Sequence, residues 1–167
     1  MHAVVVFETL WGNTEQVARE IAEGIGLEAA EMVEAVSAPA VLETDVDLLV
    51  VGGPTHAFSM SSEKTRESAK QQGATNIPLR GIREWIASLS SPGRDVLVAT
   101  FDTRVTSPRL PGSAAKKAMK RLVALGFRPV AKPESFGVHG YSGPVTDGEL
   151  ERARRWGERL GADAASR

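Results

Sequence analysis

Apolar residues along the chain fall into two patterns, short unbroken runs and longer segments with a helical repeat. The unbroken runs have the length of strands and lie at His2–Phe7, Asp47–Val51 and Asp95–Phe101. Runs without polar alternation are typical of strands that are buried on both faces of a parallel sheet. These three segments therefore predict the centre of such a sheet.

Two weaker segments predict the remaining strands. The alternation over Glu31–Val36 is imperfect, as an edge strand would allow. The other segment lies within Pro129–Val138 and is interrupted by Pro133, which cannot donate a backbone hydrogen bond to a neighbouring strand. The chain thus contains five predicted strands.

Four segments show the apolar spacing of amphipathic helices. The first is Thr14–Gly26, and the second repeats its apolar residues at Ile82, Trp85, Ile86 and Leu89. The third would be capped by Ser113 and ended by Gly126, and its inward residues are Ala115, Met119, Leu122, Val123 and Leu125. The fourth contains Leu150, Ala153, Trp156, Leu160 and Ala164. Thr146 and Glu149 have the spacing of a capping box before the last helix. We expect Trp85 and Trp156 to pack between helices and sheet.

Two further stretches are less regular. A short helical piece is predicted from Pro39 through Glu43. Residues 59–79 are polar and poorly patterned, and Ser61–Glu63 offers a cap for a helix that Gln71–Ala74 would end. We interpret residues 59–79 as an exposed, partly helical excursion.

Strand and helix alternate five times, which predicts an α/β doubly wound domain with right-handed crossovers. We expect one domain over residues 1–167, with a five-stranded parallel sheet in the order 2-1-3-4-5. In that order ligands bind where the loops after the first and third strands separate. The loops at Thr9–Thr14, Gly53–Met60 and Asp102–Gly112 would therefore line one crevice.

Composition narrows the function classes. The 167 residues are enough for one substantial core. A net charge of -1 does not indicate binding to nucleic acid or to an anionic membrane. The lack of cysteine excludes disulfides, thiol nucleophiles and Cys-ligated metals. The first residues show no signal-peptide pattern, and no apolar run would span a bilayer. We expect a soluble, cytoplasmic monomer without nucleic-acid or membrane partners.

The segment Glu8–Thr14 joins the first strand directly to the first helix. It is short and contains Gly12 and two threonines. A helix N-terminus after such a turn presents free N–H groups and the positive end of the helix dipole, which suit a phosphate group. The alternative is an ordinary turn in which Asn13 or Thr14 caps the helix.

Other phosphate-binding and catalytic proteins of similar architecture are excluded by missing residues. The chain lacks G-x-G-x-x-G after the first strand, a P-loop, a G-x-S-x-G elbow and a loop cysteine. Gly52 and Gly53 stand where a receiver domain needs an aspartate, and His2, His56 and His139 lack metal-ligand spacing. A phosphate loop without lysine or magnesium ligands suits a monophosphate that is held permanently.

With these residues the chain resembles the flavodoxin family over essentially its whole length. Val4–Glu15 is similar to the family's strand and T/S-x-T-G-N-T loop, in the variant with W/F-G-N-T. Gly52–His56 looks like the second flavin loop and Ala99–Thr103 like the third. The resemblance implies FMN as cofactor and an electron carrier that exchanges electrons with redox partner proteins and needs no catalytic side chain or metal.

The resemblance also implies the residues of the site. The backbone near Thr55–Ala57 would contact flavin N5, and Phe101–Thr103 would contact the pyrimidine edge. The implied cofactor-binding residues are Thr9, Leu10, Trp11, Gly12, Asn13, Thr14, Pro54, Thr55, His56, Ala57, Phe58, Phe101, Asp102, Thr103 and Arg104.

The chain departs from the family pattern at three places. Trp11 replaces a hydroxyl residue of the phosphate loop. His56 stands where an aromatic residue often covers one flavin face, and Phe58 is a second candidate for that covering ring. In the third loop, no tyrosine follows Phe101. Asp102 would lie near the flavin, but so would His56 and Arg104, and we therefore expect a less negative hydroquinone potential than in strongly acidic flavodoxins.

The remaining polar residues have plainer interpretations. We interpret His139 and Tyr141 as surface residues. We interpret Arg152, Arg154 and Arg155 as a solvated helix face rather than a binding patch.

Two other functions stay open at this point. One is an FMN-dependent NAD(P)H:quinone-type oxidoreductase, for which an open third loop would leave room for a second substrate. The other is a flavin-free binding module that kept the fold.

Overall fold

The computed structural model describes residues 1–26 and 28–167, which form a central sheet with helices on both faces. The elements in chain order are β1 (His2–Phe7), α1 (Asn13–Ile25), β2 (Ala30–Glu34), β3 (Val46–His56), β4 (Ser59–Met60), α2 (Glu63–Gln71), α3 (Ile82–Ser88), β5 (Leu97–Val105), α4 (Ala114–Ala124), β6 (Arg128–Pro129), β7 (Glu134–Val138) and α5 (Glu149–Ala165). In the described part of the chain, no helix combines the length and apolarity needed to cross a bilayer.

The sheet has the predicted topology. Its order is β2-β1-β3-β5-β6, and all of these neighbours pair in parallel. Two short strands share the fifth position, because β6 pairs with the start of β5 and β7 with its end. The intervening residues include Pro133, as the sequence predicts. A short antiparallel strand, β4, adds to the end of β3.

Each face of the sheet has its own hydrophobic core. One contains Ile21 of α1 and Trp156 of α5, and the other contains Trp85 of α3 and Leu122 of α4. The predicted core positions of both tryptophans are confirmed. Helices α1 and α5 approach each other closely, since a Cβ on Gly157 would overlap the carbonyl group of Ile21.

Three local predictions are wrong. Residues 39–43 are not helical; the preceding turn is fixed instead by α3, whose Trp85 Nε1 donates to the carbonyl oxygen of Pro39 at 2.9 Å. The capping box fails because Gly148 caps α5 and the Glu149 carboxylate accepts a hydrogen bond from the Gly137 N–H. Val123 lies on the solvent side of α4 and is 45% exposed.

The stretch over residues 59–79 is more tightly attached than predicted. Ser62 caps α2 as predicted, with its hydroxyl oxygen accepting from the Thr65 N–H. However, Arg66 and Ala69 of α2 are buried. This segment therefore supports the core as well as covering it.

Candidate functional site

The loops after β1, β3 and β5 meet at one edge of the sheet. The register places Phe7 beside Gly52, Gly52 beside Phe101, and Pro54 beside Thr103. Because these three strands are parallel neighbours, their carboxyl ends bring the three loops together at the predicted crevice. Both β3 and β5 extend further than predicted, so that His56 and Thr103 still belong to strands.

The N-terminus of α1 opens into this cleft. Gly12 is the N-cap residue, in a left-handed conformation with φ 92° and with open space where a Cβ would stand. Within the described residues, the N–H groups of Asn13, Thr14 and Glu15 have no hydrogen-bond acceptor. The structure therefore presents a row of free donors at the positive end of a helix, an arrangement that suits an anion. Neither Asn13 nor Thr14 caps the helix.

The loop that leads into α1 is held in place from two sides. The Gly12 N–H donates to Thr9 Oγ1 at 3.0 Å, inside the loop. From outside, Asn76 donates through its N–H to the Leu10 carbonyl oxygen and through Nδ2 to the Thr9 carbonyl oxygen. These bonds occupy two carbonyl groups whose negative ends would otherwise repel an anion.

A buried pair of hydroxyl groups joins the first loop to the third. The Oγ1 atoms of Thr14 and Thr103 lie 2.7 Å apart. Both residues line the cleft. The α1 N-terminus is thereby positioned directly against the end of β5.

Aromatic rings line the wider part of the cleft. Trp11 and His56 contact each other edge to face, with ring centroids 6.3 Å apart. Phe58 and Tyr141 line the same region and are 52% and 69% exposed. The cavity they border has a volume of about 360 Å³, within the range of small-molecule sites.

Twelve of the fifteen predicted cofactor-binding residues line this cleft. They are Thr9, Leu10, Trp11, Asn13, Thr14, Pro54, Thr55, His56, Ala57, Phe58, Thr103 and Arg104. Gly12 contributes through its backbone as the N-cap of α1.

The side chains of the other two predicted residues lie elsewhere. Phe101 is fully buried and contacts the rings of Phe136 and Trp156. Asp102 is also fully buried, and its Oδ2 accepts hydrogen bonds from Ser113 Oγ and the Ala115 N–H. Phe101 lies in the strand as predicted, and because β5 continues to Val105, Asp102 also falls within the sheet rather than in the predicted loop.

Sequence reasoning missed several residues of the cleft. Tyr141 and Gly140 reach it from the loop after β7, and Thr65, Ser68, Ala69 and Gln72 reach it from α2. Tyr141 supplies a ring that the third loop lacks. The predicted topology could have indicated Gly140 and Tyr141, since the loop after the fifth strand lies at the same edge of a parallel sheet as the other three loops.

The charge inside the cleft is small and positive. Arg104 is the one lysine, arginine, aspartate or glutamate among its described lining residues, and its guanidinium donates to the carbonyl oxygens of Leu110 and Gly112. Burial, reinforced by the charge of Arg66, lowers the pKa of His56 to about 4. His56 is therefore neutral at neutral pH.

A buried polar network lies behind the loop that joins β1 to α1. Glu8 accepts hydrogen bonds from Ser61 Oγ and the Ile82 N–H, and Arg66 joins Ser61 to Glu84. Burial raises the pKa of Glu8, while these hydrogen bonds and Arg66 oppose the rise. The network ties the end of β1 to β4, α2 and α3, a role that the sequence alone does not indicate.

Two arginines on α5 form ion pairs with neighbouring carboxylates. Arg154 pairs with Glu20 and Glu23 of α1, and Arg152 pairs with Glu149 and Glu134. Both side chains remain partly exposed, at 39% and 43%, which agrees with a solvated helix face, and the ion pairs anchor them to neighbouring elements.

Comparison with known proteins finds similarity in fold to solved structures. The sequence matches no protein-family profile and none of the curated proteins it was compared with. Among solved structures, it is similar to a flavodoxin from the domain Archaea (TM-score 0.68, 18% identity, 99% of each chain covered). It is also similar to oxidised flavodoxin 1 from Bacillus cereus (0.68, 17%, 99% of this chain and 98% of that chain). A flavodoxin, WrbA-like protein from Agrobacterium tumefaciens matches with a TM-score of 0.60 at 16% identity, covering 99% of this chain and 98% of that one. The chain therefore has a flavodoxin-like fold, as the sequence resemblance implies.

Proposed function

We propose that the protein binds FMN and carries electrons between redox partners. The observation that carries this proposal is the opening of the α1 N-terminus, with its free N–H groups, into a ring-lined cleft at the switch point of the sheet. The similarity of fold to solved flavodoxins supports it.

The residues of the cleft fit the chemistry of FMN. The N–H groups at the start of α1, together with the hydroxyl of Thr14, would hold the phosphate group. Trp11, His56 and Tyr141 offer apolar surface for a planar ring system. When bound, FMN supplies the redox chemistry of the site.

The protein's own contribution is then binding, shielding and charge. The cleft contains the guanidinium of Arg104 and a neutral His56, and the described residues that line it include no carboxylate. A positive charge near a flavin stabilises its reduced, anionic form. We therefore propose a less negative potential than in flavodoxins that surround the flavin with carboxylates. A monomeric state and a cytoplasmic location belong to the same proposal.

A matched pair of glycine variants tests the phosphate site. Gly12 and Gly148 are both helix N-caps in nearly the same conformation (φ 92° and 83°), and both have open space where a Cβ would stand. Gly12→Asp should abolish FMN uptake, because it places a negative charge at the anion site. Gly148→Asp introduces the same charge and backbone strain at α5 and should bind FMN normally. Equal FMN affinity in the two variants would place the phosphate elsewhere.

The shape of the cleft keeps an oxidoreductase as a second candidate. Its outer part continues between α2 and the loop that holds Leu110 and Pro111, and this part is mostly apolar. That space would admit a second substrate beside a flavin. Steady-state oxidation of NADPH by a quinone with the purified protein alone would favour this candidate, and its absence would favour the carrier.

A further inference from the structure

Charge is strongly segregated along the chain although the net charge is only -1. Residues 1–58 contain ten Asp and Glu side chains and one Arg, whereas residues 103–133 contain eight Lys and Arg side chains and no acidic one. Residues 103–133 run from the end of β5 through α4 to β6, at the opposite edge of the sheet from β2. The fold therefore gives the molecule a basic edge.

The exposed part of this edge forms what we call the basic surface: Arg109, Lys116, Lys117, Lys120 and Arg121. Among the residues that the structure describes, none of these five forms an ion pair. Like charges four residues apart destabilise a helix, so this pattern does not serve the stability of α4. On the adjacent α3, the carboxylate of Glu84 is already paired with Arg66.

The basic surface adjoins the mouth of the cleft. The Ala114 N–H, at the start of α4, donates to Thr55 Oγ1 at 2.9 Å. Gly112 packs so closely on Phe58 that a Cβ there would overlap the Phe58 backbone. Phe58 and Leu110 are exposed at this mouth, at 52% and 48%. An apolar centre beside a charged rim is the usual anatomy of a protein–protein interface.

We propose that the basic surface docks an acidic redox partner protein at the mouth of the cleft. The inference rests on the proposed electron-carrier function. Unpaired positive charges on one surface attract a partner with a negative surface and raise its association rate. A protein partner fits better than nucleic acid. Residues 1–58 carry exposed acidic side chains, among them Glu31, Glu43 and Asp45, which repel a long polyanion that extends beyond the basic surface.

A pair of charge-reversal variants tests the docking. Lys117→Glu with Arg121→Glu removes two charges of the basic surface, spaced i, i+4 on α4. Arg155→Glu with Arg159→Glu makes the same change at the same spacing on exposed positions of α5, which packs on the other face of the sheet. The probe is a plant-type [2Fe–2S] ferredoxin, a small acidic electron carrier. Its binding is measured by chemical-shift perturbation in the isotope-labelled chain, with and without FMN.

The proposal predicts shifts at the basic surface and around Phe58. It also predicts that the α4 variant raises the Kd for ferredoxin by about tenfold or more at low ionic strength, whereas the α5 variant changes it by less than about twofold. Both variants should retain FMN affinity, and about 0.5 M salt should weaken the wild-type complex.

Three results would each overturn the docking proposal. They are an equal change of the ferredoxin Kd in the two variants, chemical-shift changes confined to β2 and α1, and no ferredoxin binding at low ionic strength. Tighter binding of a DNA duplex of about 20 base pairs than of ferredoxin to the basic surface would overturn it in favour of nucleic acid. A failure of the flavin proposal is separate, because it appears as missing flavin absorption before any ferredoxin is added.

Discussion

The indole of Trp11 stands edge-on to the imidazole of His56, with ring centroids 6.3 Å apart and an interplanar angle of 64°. This contact joins the loop before α1 to the end of β3. Trp11 is also the residue that departs from the hydroxyl pattern of the flavodoxin phosphate loop.

Removal of the Trp11 ring should weaken FMN binding. We expect Trp11→Ala to raise the Kd for FMN by about thirtyfold, since stacking contacts and lost apolar burial are each worth about 1 kcal/mol. Trp11→Phe should recover most of the affinity. Fluorescence titration of FMN measures both, and an unchanged Kd for Trp11→Ala would show that the indole does not contact the flavin.

His56 should make stability depend on pH. Burial lowers its pKa in the folded state to about 4, so between about pH 4 and 6.5 the unfolded chain binds more protons than the folded chain. The free energy of unfolding should therefore fall as the pH falls through that range, by about 1–2 kcal/mol from His56 at pH 5.

Urea unfolding of the wild type and of His56→Gln at pH 7 and pH 5 measures this contribution. The variant should lose less stability between the two pH values than the wild type. The same loss in both proteins would mean that His56 titrates normally in the folded state.

The buried network behind the phosphate loop should contribute to stability. Ser61→Ala removes the hydroxyl that donates to Glu8 and accepts from Arg66. It should lower the free energy of unfolding by about 1–3 kcal/mol, because it leaves buried polar groups unsatisfied. Ser68→Ala is the control, since the exposed Ser68 hydroxyl bonds only its own helix. Similar denaturation midpoints for the two variants would contradict a structural role for the network.

Arg104 should raise the potential of bound FMN. At about 10 Å and an effective dielectric of about 20, one charge contributes on the order of 1–2 kcal/mol, which is about 20–40 mV for a two-electron couple. Arg104→Gln should therefore make the potential more negative by that amount. Arg109→Gln removes the same charge from an exposed position in the loop after β5 and should change the potential less. Potentiometric titration of the wild type and both variants measures these shifts. Equal shifts in the two variants would show that Arg104 has no specific effect on the potential of bound FMN.

Much of the fold is predictable because its strands are buried on both faces. The runs at His2–Phe7 and Asp47–Val51 have no polar alternation, and the position of Pro133 marks the break in the fifth strand. Where these strands end is less predictable. The ladder between β3 and β5 continues through Pro54 and Thr103, because pairing with a neighbour outweighs the turn-like composition of Gly52–His56.

The candidate site is predictable where one local segment defines it and not where distant segments meet. Residues 9–14 combine a turn with a helix start, so the candidate anion site follows from the local sequence. Tyr141, Asn76 and Arg66 come to the site or its support through contacts between distant segments. The side chains of Phe101 and Asp102 lie on the two buried faces of the sheet, because β5 continues to Val105 and successive strand residues alternate between the faces.

We propose above all that this chain holds FMN at the start of α1. The absorption spectrum of the purified protein tests this, followed by calorimetric titration of FMN into protein stripped of any flavin. We expect a yellow protein that takes up one FMN per chain, with riboflavin bound far more weakly because it lacks the phosphate group. A colourless protein that binds no added FMN, or one that binds riboflavin equally well, would contradict it.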